Sequence, residues 1–227
     1  MKIKFYAHAS FRLEGREATI VTDPYEPALS QFDPIDEPAD LVLMSSATDR
    51  FHCDPSHVLG HPQVLNALDV PPGGTVAKGI AVRAYPGRER YQALMLLAGI
   101  FLPRRNALYS FALDGIRVLH TGDIGRPLKP AYADELRGQV DVMFALSGGV
   151  HNIELDDLQA LIADLRPKIV IPMHYFNPKG RLKILPVTAL TDRYPADRVV
   201  RAGKPDIDVD RATLPAATTI YVLEPSR

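Results

Sequence analysis

The sequence predicts an α/β chain in which two sheets pack face to face with helices outside. Three observations predict it. Short apolar runs bounded by turn residues dominate the first half. Strand-like and helix-like stretches alternate in the second half, and the chain ends on another strand-like run. No internal repeat, low-complexity tract or clean linker interrupts this order, so residues 1–227 read as one domain.

The elements follow in order. Ile3–Tyr6, Phe11–Leu13, Ala18–Thr22 and Leu41–Met44 are the first strands, with Asp33-Pro and Glu37-Pro marking an exposed loop between the last two. Pro71-Pro-Gly-Gly is a turn, and residues 79–84 form a strand. Residues 107–113 and 116–119 read as a hairpin across Asp114-Gly115. A short helix over 131–136 precedes a buried strand over 140–146. The clearest helix spans 154–165. Leu155, Leu158, Leu161, Ile162 and Leu165 form its apolar stripe, Asn152 is its expected N-cap, and Pro167 stops it. A strand over 168–173, a helix over 187–193 and a strand over 218–223 complete the chain.

Composition narrows the function classes. The chain is 46% hydrophobic and 23% charged, ordinary for a soluble globular protein. A net charge of −1 gives no reason to expect a nucleic-acid partner. One cysteine, Cys53, excludes a disulfide framework and any multi-cysteine zinc site, and fits a cytoplasmic location. The N-terminus lacks the apolar core of a signal peptide, and no stretch has the ~20 apolar residues of a transmembrane span. The longest apolar run, residues 93–102, reads first as a buried element. A lid, a membrane-touching loop or a homo-oligomer contact are its other readings.

Chemistry concentrates where strands end. Asp23 closes the run at 18–22, Asp123 follows the one at 116–120, and His174 closes the one at 168–173. Strand ends that converge on one sheet edge bind ligands in α/β proteins. A carboxylate and an imidazole held there suit zinc or manganese.

Six strings in order carry a family resemblance: His8-Ala-Ser-Phe, Thr22-Asp-Pro, Ala39-Asp-Leu-Val-Leu-Met-Ser, His120-Thr-Gly-Asp-Ile-Gly, Leu146-Ser-Gly-Gly and Ile171-Pro-Met-His-Tyr. Over about residues 1–190 the chain resembles the metallo-β-lactamase superfamily, and within it the small metal-dependent hydrolases that include the ascorbate-6-phosphate lactonases. The resemblance implies a four-layer αβ/βα sandwich with the active site at one edge, between the sheets. It implies that Asp123 is the metal-bridging aspartate and His174 the terminal histidine ligand.

The family's central motif, His-x-His-x-Asp-His, is degenerate in this sequence. In register, Ser46 and Thr48 stand for two histidines, Arg50 for the aspartate and Phe51 for the last histidine. Residues 85–105 contain no histidine to supply a further ligand. A catalytic zinc needs three protein ligands, and Asp123 and His174 are two. Counting ligands favours a hydrolase-like protein with most metal ligands missing, a pseudoenzyme. Arg50, with Arg88 or Arg90, would grip a small anionic ligand or a partner beside Ser46, Thr48, Gly148 and Gly149, and Arg50 would pair with Asp123 in the vacated pocket. The alternative is an active hydrolase of lactones, esters or phosphoesters with a remodelled site. There Asp49, His52 or His151 joins Asp123 and His174 around zinc or manganese.

The remaining polar residues have plainer expected roles. His8 orients site residues by hydrogen bonding, and Asp23 anchors loops behind the site. Asp49 caps a turn and His52 is partly exposed in the pseudoenzyme reading. His57 and His61 are solvated, and His120 is a satisfied core histidine. Gly148-Gly149 admits close backbone approach and is not a phosphate loop. No Gly-x-Ser-x-Gly elbow supports a serine triad, and Cys53 beside His52 is a weak nucleophile candidate.

Overall fold

The structure is a computed structural model and describes residues 1–88, 90, 105–150 and 152–227. Two sheets enclose the core. The first has six strands in the order β13-β1-β2-β3-β4-β5. Its members are β1 (Lys2–Ala7), β2 (Ser10–Glu14), β3 (Thr19–Thr22), β4 (Leu41–Met44), β5 (Gln63–Asn66) and β13 (Asp206–Asp208). The second has eight, in the order β12-β14-β11-β10-β9-β8-β7-β6. It comprises β6 (Thr75–Ala77), β7 (Ile80–Arg88), β8 (Arg105–Leu113), β9 (Ile116–His120), β10 (Val142–Leu146), β11 (Ile169–Met173), β12 (Val199–Arg201) and β14 (Thr219–Val222).

Both sheets are mixed. β1, β2 and β3 meander antiparallel, then β3, β4 and β5 run parallel. β6 to β9 are antiparallel, then β9, β10, β11 and β14 run parallel. Helices supply the crossovers that parallel pairing demands. These are α2 (Pro130–Leu136) before β10 and α3 (Leu155–Leu165) before β11. The described residues also contain two single-turn helices, α1 (Pro27–Ser30) and α4 (Thr188–Thr191). The α3 stripe Leu155, Leu158, Leu161, Ile162 and Leu165 is buried in the common core, as its period requires. Asn152 is not the cap of this helix. Glu154 holds the N-cap position without a side-chain hydrogen bond, and Asn152 turns inward to the site.

The core lies between the sheets. Phe11 of β2 stacks on Phe144 of β10 at 4.0 Å and 6°, and Phe5 stacks on Phe11 at 4.8 Å. All three rings are at most 2% exposed. The expected α/β sandwich is therefore the observed architecture. The hairpin turn is as read from Asp114-Gly115: both residues have positive φ, 52° and 75°, as a tight two-residue turn requires.

The fold directs one end of its strands to a common place. β1, β3, β4, β9, β10 and β11 deliver their C-terminal ends to the same edge, and backbone bonds sew the sheets together there. The His174 N–H donates to the His8 carbonyl at 2.7 Å, and the Ala107 N–H to the Ser45 carbonyl at 2.9 Å.

Candidate metal centre

Chain geometry at this edge is unusual. His8, Asp23 and His174 each leave a strand with positive φ, 57°, 37° and 52°. Non-glycine residues adopt this region at a cost and cluster at functional sites. The left-handed step bends each strand end inward.

Five side chains meet there, those of the buried residues His8, Asp49, His52, Asp123 and His174. Ligand-type atoms of His8, His52 and His174 lie within 4.8 Å of one another, and so do those of Asp49, His52 and Asp123. Asp123 connects the two groups, with His52 Nε2 and His174 Nε2 each 3.9 Å from its carboxylate. The His8 ring is 4.1 Å from that of His174 and 4.9 Å from that of His52.

Behind this cluster sits Asp23, fully buried. Its Oδ1 accepts from the Ser45 N–H at 2.7 Å and the Tyr109 hydroxyl at 3.2 Å. Its Oδ2 accepts from the Ser45 hydroxyl at 2.6 Å and from His52 Nδ1 at 3.0 Å. A carboxylate only accepts, so His52 must carry a proton on Nδ1. Nε2 then faces the cluster, the orientation a carboxylate behind a metal-binding histidine imposes.

The electrostatics follow the same plan. Burial raises the Asp23 carboxyl, but His120, His52 and Ser45 outweigh it and hold it below its ordinary value. Burial lowers the His52 imidazole, yet the Asp23 hydrogen bond and the Asp123, Asp49 and Asp23 charges push it up to about 10. His8 lies well below its ordinary value through burial and the neighbouring His174 and His52. Its imidazole is therefore neutral and has a lone pair to give.

Asp123 is positioned from both sides. Its N–H donates to Asn106 Oδ1 at 2.9 Å, and Asn152 Nδ2 donates to its carboxylate. Gly122 before it has φ 58°, and a Cβ there would stand 2.5 Å from Asn106 Oδ1. Gly148 is equally constrained, since a Cβ would meet the His174 carbonyl at 2.3 Å. Among the described residues, the Nε2 atoms of His8 and His52 are buried without a hydrogen-bond partner. Two orphaned imidazole nitrogens beside two carboxylates fit a zinc- or manganese-type cation.

These positions correct the expectation that most ligands are missing. The metal site is not degenerate in space, and the pseudoenzyme reading falls with it. The His-x-His-x-Asp-His register fails, but Asp49 and His52, each one residue off that register, turn into the site, and His8 arrives from another strand. His52 is fully buried, contrary to the exposed position expected of it. Arg50 is outside the pocket. Its side chain is 67% exposed and pairs with Glu26, not Asp123, because the Asp49–His52 turn sends neighbouring side chains in opposite directions. Arg90 pairs with Glu154. Ser46 and Thr48 share a hydroxyl contact of 3.3 Å with each other. His57 is not solvated: it accepts from the Ile35 N–H at 2.7 Å and reaches the Tyr25 carbonyl at 2.8 Å. His151 and the apolar run 93–102 lie outside the described residues.

Sequence reading undervalued His8 and missed Ser45, Asn106, Tyr109 and Asn152. Only the polar Asn106 inside an apolar strand offered a signal.

Comparison with known proteins places this chain in a family. Residues 2–174 match the beta-lactamase superfamily domain. A UPF0173 protein of Pyrococcus furiosus is 28% identical over 185 residues, covering 77% of this chain and 83% of that protein. A UPF0173 metal-dependent hydrolase of Archaeoglobus fulgidus is 28% identical over 199 residues, with the same coverage. The crystal structure of a candidate zinc-dependent hydrolase of the metallo-β-lactamase superfamily from Thermotoga maritima superposes with a TM-score of 0.75. It has 26% identity and covers 99% of both chains. The metallo hydrolase Igni18 of Ignicoccus hospitalis, 18% identical with a TM-score of 0.62, shares the fold. No helix among the described residues is long and apolar enough to cross a membrane. With its sandwich and its strand-end cluster of histidines and aspartates, this chain belongs to the metallo-β-lactamase superfamily.

Proposed function

We propose that the chain is a metal-dependent hydrolase of lactones, esters or phosphoesters. The observation that carries this reading is the convergence of five buried ligand-type side chains on one edge, His8, Asp49, His52, Asp123 and His174. His52 and His174, with His8, Asp49 or Asp123 completing the set, would hold zinc or manganese. Bound there, the ion supplies Lewis acidity that polarises a carbonyl or phosphoryl oxygen.

The chain's own residues do the rest. Asp23 fixes the tautomer and direction of His52. Asn152 donates to the Asp123 carboxylate and Asn106 accepts the Asp123 N–H, which together orient a carboxylate that can take up a proton at the reaction centre. The core beneath Phe11 and Phe144 keeps bulk water out, which strengthens each charge interaction. Phe51, 5.5 Å from the His8 ring, offers an apolar lip to substrate. The finer resemblance to ascorbate-6-phosphate lactonases makes lactones the first substrates to try.

The test is a screen of zinc- and manganese-loaded protein against a lactone, a p-nitrophenyl ester and bis-p-nitrophenyl phosphate. Asp123→Asn should lower kcat/KM on any substrate turned over by about 100-fold or more. Equal rates in wild type, Asp123→Asn and His174→Ala would refute the assignment, as would protein that retains neither metal.

A further inference from the structure

We propose that this centre holds a single zinc ion on His8, His52 and His174. His8 supplies the nitrogen that Ser46 and Thr48 do not. The inference rests on the metal-dependent reading above and fixes which residues, and how many ions, that reading requires.

The count follows from His52. Both groups of three ligand-type residues found among the described residues contain it. Its Nδ1 is committed to Asp23, whose carboxylate also receives Ser45 and Tyr109. One nitrogen, Nε2, is left, and the single lone pair it offers once a cation displaces its proton serves one ion. Once His52 is used with His8 and His174, a second ion would find only Asp49 and Asp123 from these groups. Two ligands fall short of the three or four that bind zinc. His120 cannot make up the set. Its Nε2 meets the Ala9 carbonyl at 2.9 Å and its Nδ1 accepts the Gly122 N–H at 3.0 Å. Both nitrogens are spent.

The choice between the two groups follows from their partners. Asp49 accepts the Phe51 N–H at 3.0 Å, which closes the turn, and Asp123 already receives Asn152. The Nε2 atoms of His8 and His52 are buried with no hydrogen bond at all. A buried unpaired polar atom costs free energy, so two adjacent ones are retained for a ligand. His8 is also built into place. Its φ of 57° aims the side chain inward, and its carbonyl receives the His174 N–H, so two ligands share one backbone clamp. Three imidazoles select zinc over manganese, which favours oxygen ligands.

The experiment is a metal titration of the untagged full chain after chelator stripping. Bound zinc is counted by elemental analysis after desalting, and affinity is measured by competition with a chromophoric chelator. We expect one equivalent of zinc, with manganese lost on desalting. His8→Ala should weaken zinc at least about 100-fold, since it removes a direct ligand where even an outer partner is worth 10–100-fold. Asp49→Asn should keep one equivalent. The visible spectrum of the cobalt(II) form should be altered in His8→Gln, a readout that survives if the alanine variant misfolds. Two equivalents of zinc in wild type would overturn the single-ion count and leave the hydrolase reading intact. Unchanged zinc affinity and cobalt spectrum in the His8 variants would overturn the ligand assignment alone. No bound zinc or manganese would overturn both.

Discussion

Asp23→Asn changes one atom of the carboxylate behind His52, and its outcome can be worked from the hydrogen bonds. Asp23 Oδ1 receives two donors, the Ser45 N–H and the Tyr109 hydroxyl. An asparagine must therefore place its amide oxygen there, and its NH2 group falls at the Oδ2 position. The Ser45 hydroxyl can rotate to accept from that NH2. His52 cannot keep a proton on Nδ1 facing it, so the imidazole adopts the other tautomer and puts its hydrogen on Nε2. That nitrogen lies 3.9 Å from Asp123 Oδ2 and is the one needed for metal. Outer carboxylates of this kind are worth 10–100-fold in metal affinity, or about 1.4–2.7 kcal/mol. Zinc affinity by chelator competition should fall in that range. Long-range nitrogen–proton NMR should move the His52 proton from Nδ1 to Nε2. A variant with zinc affinity within about twofold of wild type and an unchanged tautomer would refute the argument.

Other parts of the molecule yield sharper or blander expectations. Asp141 is buried and accepts from the Arg117 N–H at 2.8 Å, Nε at 3.0 Å and a terminal guanidinium nitrogen at 2.7 Å. Burial raises its carboxyl, but Arg117 outweighs this and holds it below the ordinary value. Its contribution is thus present above the unfolded pKa of about 3.9 and lost as pH falls through the lower folded value. Asp141→Asn should cost about 1.5–3 kcal/mol in urea at neutral pH, with a shrinking difference from wild type in acid; a constant difference down to pH 2 would contradict this. Gly122→Ala must place a Cβ 2.5 Å from Asn106 Oδ1 at a φ of 58°, so about 2–4 kcal/mol of stability should be lost, and a loss under about 0.5 would show that the loop relaxes freely. Arg50→Ala should leave zinc stoichiometry and thermal midpoint unchanged, because Arg50 is exposed beside Glu26; lost zinc would return it to the site. Zinc at about 100 times its Kd should stabilise the folded chain by about 2.7 kcal/mol, which at this length raises Tm by roughly 5–11 °C in calorimetry; no rise would mean the ion does not bind the native state.

The fold was legible because its inner strands are continuous apolar runs. Leu41–Met44, Val142–Leu146 and Ile169–Met173 are buried throughout, and such runs read directly from composition. The unread strands β5, β6, β12 and β13 lie at or beside sheet edges, have three or four residues, and carry exposed positions that break the pattern. The site was half legible. Asp23, Asp123 and His174 announced themselves as polar residues closing apolar strands. Asp49 and His52 read only as ligands of the alternative, remodelled site, because a linear motif counts positions whereas a turn sets directions. The Asp49 carbonyl receives the His52 N–H at 2.8 Å, and this one bond turns His52 inward and leaves Arg50 outside. His8 was misjudged for a different reason. Its proximity to His52 depends on how β1 and β4 are ordered in one sheet, which no local pattern encodes.

The cluster is also expensive to fold, and that expense bears on what it is for. Three histidines and the aspartates Asp23, Asp49 and Asp123 are all buried. Burying charges is unfavourable unless they are paired and hydrogen-bonded. Asp23 is compensated in full by Ser45, Tyr109 and His52. His8 is not, since burial and two histidine neighbours hold it neutral and its Nε2 bonds to nothing. A purely structural residue there would be replaced by an apolar side chain of similar volume, at little cost or with a gain in stability. The left-handed backbone at His8 and His174 adds strain of its own. Stability surrendered at one edge, while Phe5, Phe11 and Phe144 pack tightly beneath it, is what a site organised before its ligand arrives requires. His8→Phe separates the two roles. It should raise thermal stability in chelator and abolish the zinc-dependent rise. A variant stabilised by zinc as much as wild type would mean that His8 serves packing alone.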